Sequence, residues 1–190
     1  MLDEHGQTTE EYLREVTIGE RAAHRGRVEL APYDPAWPGR FAREEARIRS
    51  ALCERALRVE HVGSTSVPGL SAKPIIDIVL VVADSAREDE YVPALEAAGY
   101  VLRIREPDWF QHRLLKSPEA DVNLHVFSHG CEEVQRMVAF RDHLRANDED
   151  RALYEQTKRE LGSRTWEHVQ HYADAKTEVV QRIMERAVAG

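Results

Sequence analysis

The chain has few cysteines, no excess of positive charge and no long apolar run. Its 2 cysteines, Cys53 and Cys131, are far apart and form no CxxC pair. A disulfide framework or structural zinc site is therefore not expected, and a reducing compartment is. Lys and Arg number 26 against 34 Asp and Glu, a net charge of -8. Nucleic-acid backbones demand a basic surface, so general nucleic-acid binding is excluded; a small anionic ligand in a local basic pocket is not. No stretch approaches the ~18 apolar residues of a membrane span, and the acidic, polar residues 1–11 are unlike a signal peptide. The expectation is a cytoplasmic protein with no membrane segment.

With 190 residues, 42% hydrophobic and 32% charged, the chain suits one domain with a proper core. Residues 1–27 read as an extension, helical around 9–24 or mobile, and residues 28–190 as the domain itself. Pro32, Asp34, Pro35 and Pro38 mark a turn before a helix over about 38–57. Residues 57–62 and 75–82 read as strands, the second almost wholly apolar, as in a central strand covered on both faces. A helix over 87–98 stops at Gly99. Residues 100–104, 109–116 and 121–127 read as strands, with 116–120 a hairpin link. Helices follow over 132–146, 149–161 and 166–187. This order predicts an α+β fold, a mixed β-sheet with flanking helices and a C-terminal helical subdomain.

The chemistry concentrates in residues 61–82. Gly63 and Ser64 form a turn after one strand, where consecutive backbone N–H groups and a hydroxyl favour phosphate oxygens. A Walker A loop is ruled out, because five residues separate Gly63 from Gly69 and Leu70 follows. Side chains alternate along a strand, so Asp77, Val79 and Val81 share one face. Two-metal phosphoryl transfer needs carboxylates at i and i+2 on that face plus a third from a neighbour. Valine at 79 leaves Asp77 alone, a weak start for a Mg²⁺ shell. In the later strand Asn123 and His125 share a polar face, with Asp121; beside Asp77 they suit hydrogen bonding or acid–base work. Cations come from Lys73 and from the C-terminal helices: Arg141, Lys158 and Lys176, the last four residues after Tyr172 on one helical face. Two or three of them at the Gly-Ser turn would make an anion pocket despite the acidic total.

The segment Glu60-His61-Val62-Gly63-Ser64-Thr65-Ser66-Val67-Pro68-Gly69-Leu70, with Ala72-Lys73-Pro74-Ile75-Ile76-Asp77-Ile78, resembles the signature of the GrpB family. So do Tyr33-Asp34-Pro35-Ala36-Trp37-Pro38, Asn123-Leu124-His125-Val126, Phe140-Arg141-Asp142-His143-Leu144-Arg145 and Tyr172-Ala173-Asp174-Ala175-Lys176. The resemblance covers residues 28–187. It implies a nucleotidyltransferase-like fold, sometimes fused to dephospho-CoA kinase. It also implies Gly63 and Ser64 as the superfamily's Gly-Ser motif and Asp77 as its first metal carboxylate. The second carboxylate would fall at Val79 and the third near Asn123 or His125, where this chain has none.

The functional expectation is a protein that binds a nucleotide or other phosphate-bearing small molecule. Gly63, Ser64 and Lys73 would cradle the anion. Asp77, catalytic or metal-bound, and His125 would act with Asn123, while Arg141, Lys158, Tyr172 and Lys176 close the pocket. Transfer of a nucleotidyl or phosphoryl group would need Mg²⁺. The alternative, from the missing carboxylates, is a non-catalytic binding or regulatory module on a degenerate nucleotidyltransferase scaffold.

Overall fold

The apolar run Ile76–Val82 forms strand β2, next to the edge strand of a mixed sheet and covered on both faces. The computed structural model describes residues 8–20, 28–119, 121–166 and 169–189. Strand β1 (Arg58–Val62) pairs antiparallel with β2. Strands β3 (Val101–Glu106), β4 (His112–Lys116) and β5 (Val122–Ser128) complete a five-stranded sheet of order β1-β2-β5-β4-β3. The β2–β5 pair is parallel and the other three are antiparallel.

Alternation along β2 decides which layer covers which face. Ile76, Ile78 and Leu80 enter the main core with Val122, Leu124 and Val126 of β5. Helix α2 (Trp37–Leu52) and helix α3 (Val92–Ala97) close that side with Trp37, Ile48, Leu52 and Leu95. Val79 and Val81 point the other way, into a smaller apolar cluster with Val62, Phe127 and Val134, the last from helix α4 (Glu132–Ala146). Helix α5 (Asp148–Gly162), helix α6 (Val169–Asp174) and helix α7 (Thr177–Ala189) form the C-terminal helical layer. There Tyr154 and Ile183 pack with Val67, Leu70 and Leu144.

Several boundaries differ from the sequence reading, each for a local reason. Helix α1 (Glu10–Val16) is capped by the Thr9 side chain and ends at extended Thr17, and residues 21–27 lie outside the described residues. This helix is tied to the sheet, because the Ile18 amide donates to the Arg103 carbonyl at 2.8 Å. The strand expected from 109 begins at His112, since Phe110 and Gln111 take positive φ angles of 54° and 52° in a turn. The helix expected over 87–98 is a 3₁₀ turn, Glu88–Glu90, followed by α3. The long helix expected over 166–187 is instead α6 and α7, broken at Ala175 and Lys176. Tyr172 and Lys176 therefore do not share one continuous helical face.

Candidate functional site

Sheet register builds the centre of the site. Asp77 lies opposite Asn123, and Asn123 opposite Lys116, so three adjacent strands place a carboxylate, an amide and an ammonium in one row. Lys116 Nζ donates to Asn123 Oδ1. A lysine can only donate, so this bond fixes the amide with Nδ2 toward Asp77 Oδ1, at 2.7 Å. The next row is Val79, His125 and Leu114. His125 Nε2 stands 3.8 Å from Asp77 Oδ1, a neighbour rather than a hydrogen-bond partner. Burial works against ionisation of Asp77, but the His125 ring in its charged form, the Asn123 amide and Lys73 hold its carboxyl below the usual range.

Gly63 and Ser64 stand over this row. Gly63 joins β1 to a 3₁₀ turn, Ser64–Ser66, whose first amides have no partner within the turn. Arg145 braces the turn by donating twice to the Ser66 carbonyl, at 3.0 and 2.8 Å. The buried Tyr154 phenol meets the Ser64 side chain; burial pushes it up to about 12 against that opposing bond.

The helical layer brings cations. Lys73 Nζ and Lys176 Nζ lie 5.8 and 4.7 Å from the centroid of one ring, that of Tyr172, within cation–π range. Among the described residues neither ammonium has a hydrogen-bonded or ion-paired carboxylate. Burial and then the Lys176 charge lower the pKa of Lys73, with Asp77 opposing. Burial also lowers that of Lys176, against Asp77 and Asp174. Lys158 is 2% exposed, donates to the Ser71 carbonyl and stands 5.0 Å from the Tyr154 ring centroid. Burial and then the Lys176 charge bring it down to about 7. Tyr172 is 2% exposed, and its hydroxyl has no partner among the described residues.

Of the expected site residues, Gly63, Ser64, Lys73, Asp77, Asn123, His125, Tyr172 and Lys176 thus cluster, with Lys158 alongside. Arg141 does not join them. Its guanidinium is taken by Glu60 at 2.6 Å, Asp142 at 2.8 Å and the His61 carbonyl at 3.0 Å, so it pins α4 to β1. His61 is structural too, stacked on Phe41 and bonded to Thr65 at 3.0 Å. Asp121 accepts from Ser117 in the hairpin link, away from its strand neighbours' site. Lys116 and Tyr154 were missed. The hairpin register held a signal for Lys116, whereas nothing local marked Tyr154. A separate surface hollow is bordered by His143, Asp150 and Arg186, but Asp150 already holds both of the other side chains.

The residues present do not fit a resident Mg²⁺ of the two-metal kind. Val79 is fully buried in its apolar cluster, Asn123 donates its amide to Asp77, and His125 supplies nitrogen. Among the described residues no three His, Cys, Asp or Glu side chains gather as a metal site. The expectation of Mg²⁺ at Asp77 therefore rests on that one carboxylate of the row. No helix among the described residues is long and apolar enough to cross a membrane.

A UPF0157 protein of Halalkalibacterium halodurans is 61% identical over 181 residues, 95% of this chain and 93% of that one. A dephospho-CoA kinase of Mycolicibacterium paratuberculosis is 32% identical over 185 residues, spanning 84% of this chain and 46% of the kinase. The crystal structure of conserved protein GrpB from Enterococcus faecalis superposes with a TM-score of 0.72 at 31% identity, over 85% of this chain and 98% of that one. The model of the GrpB protein family matches residues 27–186, and the chain belongs to the GrpB family, with an α+β fold built on a five-stranded mixed sheet.

Proposed function

We propose that the cleft between Gly63–Ser64, Asp77 and the helical layer binds the phosphate-bearing part of a small molecule, a nucleotide or a related compound. The observation that carries this reading is the pair of ammonium groups, Lys73 and Lys176, gathered at the Tyr172 ring with no carboxylate in hydrogen-bond or ion-pair contact among the described residues, and with Asp77 as their shared charged neighbour. Half-buried like charges lower one another's pKa and cost stability. A phosphate between them relieves that cost, and the Ser64 and Thr65 amides that open the turn add donors. Lys158, next to Lys176, is partly uncharged near neutral pH and gains its proton when an anion enters.

Transfer of a nucleotidyl or phosphoryl group from such a ligand is the chemistry the scaffold suits. A binding or regulatory role without turnover is favoured by one observation, the enclosure of position 79 in an apolar cluster. A thermal-shift panel of nucleoside triphosphates, coenzyme A species, phosphorylated metabolites and pyrophosphate tests the binding reading. Coenzyme A species belong in it because part of a dephospho-CoA kinase resembles this chain. A ligand at 100 times its Kd adds ~2.7 kcal/mol; a flat response across the panel removes the reading. Asp77→Ala then tests the carboxylate. Without a bound metal, losing this negative charge tightens phosphate binding, whereas binding that needs both Mg²⁺ and Asp77 would show metal ligation after all.

A further inference from the structure

Behind His125 runs a chain of hydrogen bonds that phosphate binding does not use. His125 Nδ1 is 3.0 Å from His112 Nε2, and His112 Nδ1 is 2.6 Å from Glu106 Oε2. Glu106 Oε1 accepts from the Tyr12 hydroxyl of α1 at 2.9 Å. Every link needs one donor and one acceptor, so fixing one end fixes the rest.

Glu106 is the fixed end. Burial opposes its ionisation, but the bonds from His112 and Tyr12 prevail and hold its carboxyl below the usual range. A carboxylate only accepts, so His112 carries its proton on Nδ1. His112 is 3% exposed, and burial, outweighing Glu106, lowers its ring to about 4. The ring is neutral and its Nε2 is a lone pair. His125 must then donate from Nδ1, which leaves its own Nε2 unprotonated in the neutral ring and turned toward Asp77. The 3.8 Å between Nε2 and Asp77 Oδ1 agrees, because an N–H facing a carboxylate closes to about 2.7–2.9 Å. Two acceptors face each other across a gap that suits a donor.

We propose that Glu106 and His112 are positioning residues that hold the His125 proton on Nδ1, so that Nε2 receives a hydroxyl or amine donor of the ligand beside Asp77. For its ligand this rests on the small-molecule reading of the cleft; for the tautomer it rests on hydrogen-bond geometry. An ionised phosphate offers only acceptors, so the group at His125 is a different part of the ligand, or a second substrate, from the part held by Lys73 and Lys176. Alcohols, amines and sugar hydroxyls are the class that fits.

Long-range ¹H–¹⁵N spectra of the full-length protein labelled in histidine test the assignment near neutral pH, with signals assigned by His125→Gln and His112→Phe. The expected result is a protonated Nδ1 and a bare Nε2 on both rings. His112→Phe, which keeps a ring in the stack but removes the acceptor, releases His125 into a mixture of tautomers, as Glu106→Gln does in part. A protonated Nε2 on His125 in the unmodified protein overturns the proposal even if no variant folds. So does a His125 spectrum indifferent to His112→Phe. A hydroxyl- or amine-bearing ligand from the panel moves the His125 Nε2 signal and pyrophosphate does not; equal movement with both overturns the ligand class. A flat thermal-shift panel beside the expected tautomers would sink phosphate binding and leave the His125 assignment standing.

Discussion

The Asp77 carboxylate rests against the backbone of Gly63, so closely that a Cβ at position 63 would lie 2.4 Å from Oδ2. Antiparallel register causes this: Val62 at the end of β1 pairs with Asp77 near the start of β2, and the chain turns at the next residue. Gly63 has φ 68° and ψ -176°, a region that glycine alone enters easily. The turn and the carboxylate thus constrain each other, which explains why both motifs occur in one short segment.

Gly63→Ala is therefore expected to act twice. The backbone strain costs about 1–3 kcal/mol, and the new methyl displaces the carboxylate or the turn. Denaturant unfolding should show the lower stability, and the phosphate-induced thermal shift should shrink. Wild-type values for both would contradict the described contact.

Lys176→Met should separate ligand binding from stability. Removing one of two neighbouring cations relieves repulsion and a burial cost, and these outweigh the lost attraction of Asp77. The ligand-free variant is then expected to melt no lower than the wild type, while its phosphate-induced shift falls. Lys73→Met should do the same. A variant that loses stability but keeps its full ligand response would place the ammonium in a structural role.

Lys158 gives a signed pH dependence. Its folded pKa, about 7, lies below the ordinary 10.5, so between those values the unfolded chain holds the extra proton. Its contribution to stability is therefore fully present above 10.5 and is lost as pH falls through about 7. Stability of the wild type relative to Lys158→Met should rise with pH over that window, with a slope of up to about 1.4 kcal/mol per pH unit. Paired unfolding curves at several pH values measure it, and a flat difference would show that Lys158 stays charged.

Val79→Asp would restore the carboxylate spacing of a two-metal site on paper. Position 79 is fully buried among Val62, Val81, Phe127 and Val134, where an unpaired carboxyl costs several kcal/mol. The variant should unfold at lower denaturant and gain no Mg²⁺-dependent stability. A folded variant stabilised by Mg²⁺ would refute the account of this face.

What the sequence made legible was what period and register control. Alternation separated Asp77 from Ile76 and Ile78, and it put Asn123 and His125 on one face of their strand; pairing with β2 then joined the two sets. The break between α6 and α7 carried no glycine or proline, so nothing local marked Lys176 as a turn residue. Phe110 and Gln111 adopt positive φ without the usual turn residues, which hid the true start of β4. Arg141 could not be placed from sequence, because Glu60, the acid that captures it, is distant along the chain. The Tyr12–Glu106–His112–His125 chain joins four elements and was equally invisible.

The most direct test of the phosphate cleft is calorimetric titration of ATP, coenzyme A and pyrophosphate into the wild type and a Lys73→Met/Lys176→Met variant of confirmed fold. The account predicts saturable binding of at least one of these by the wild type and its loss in the double variant. Equal affinity for both proteins would contradict it.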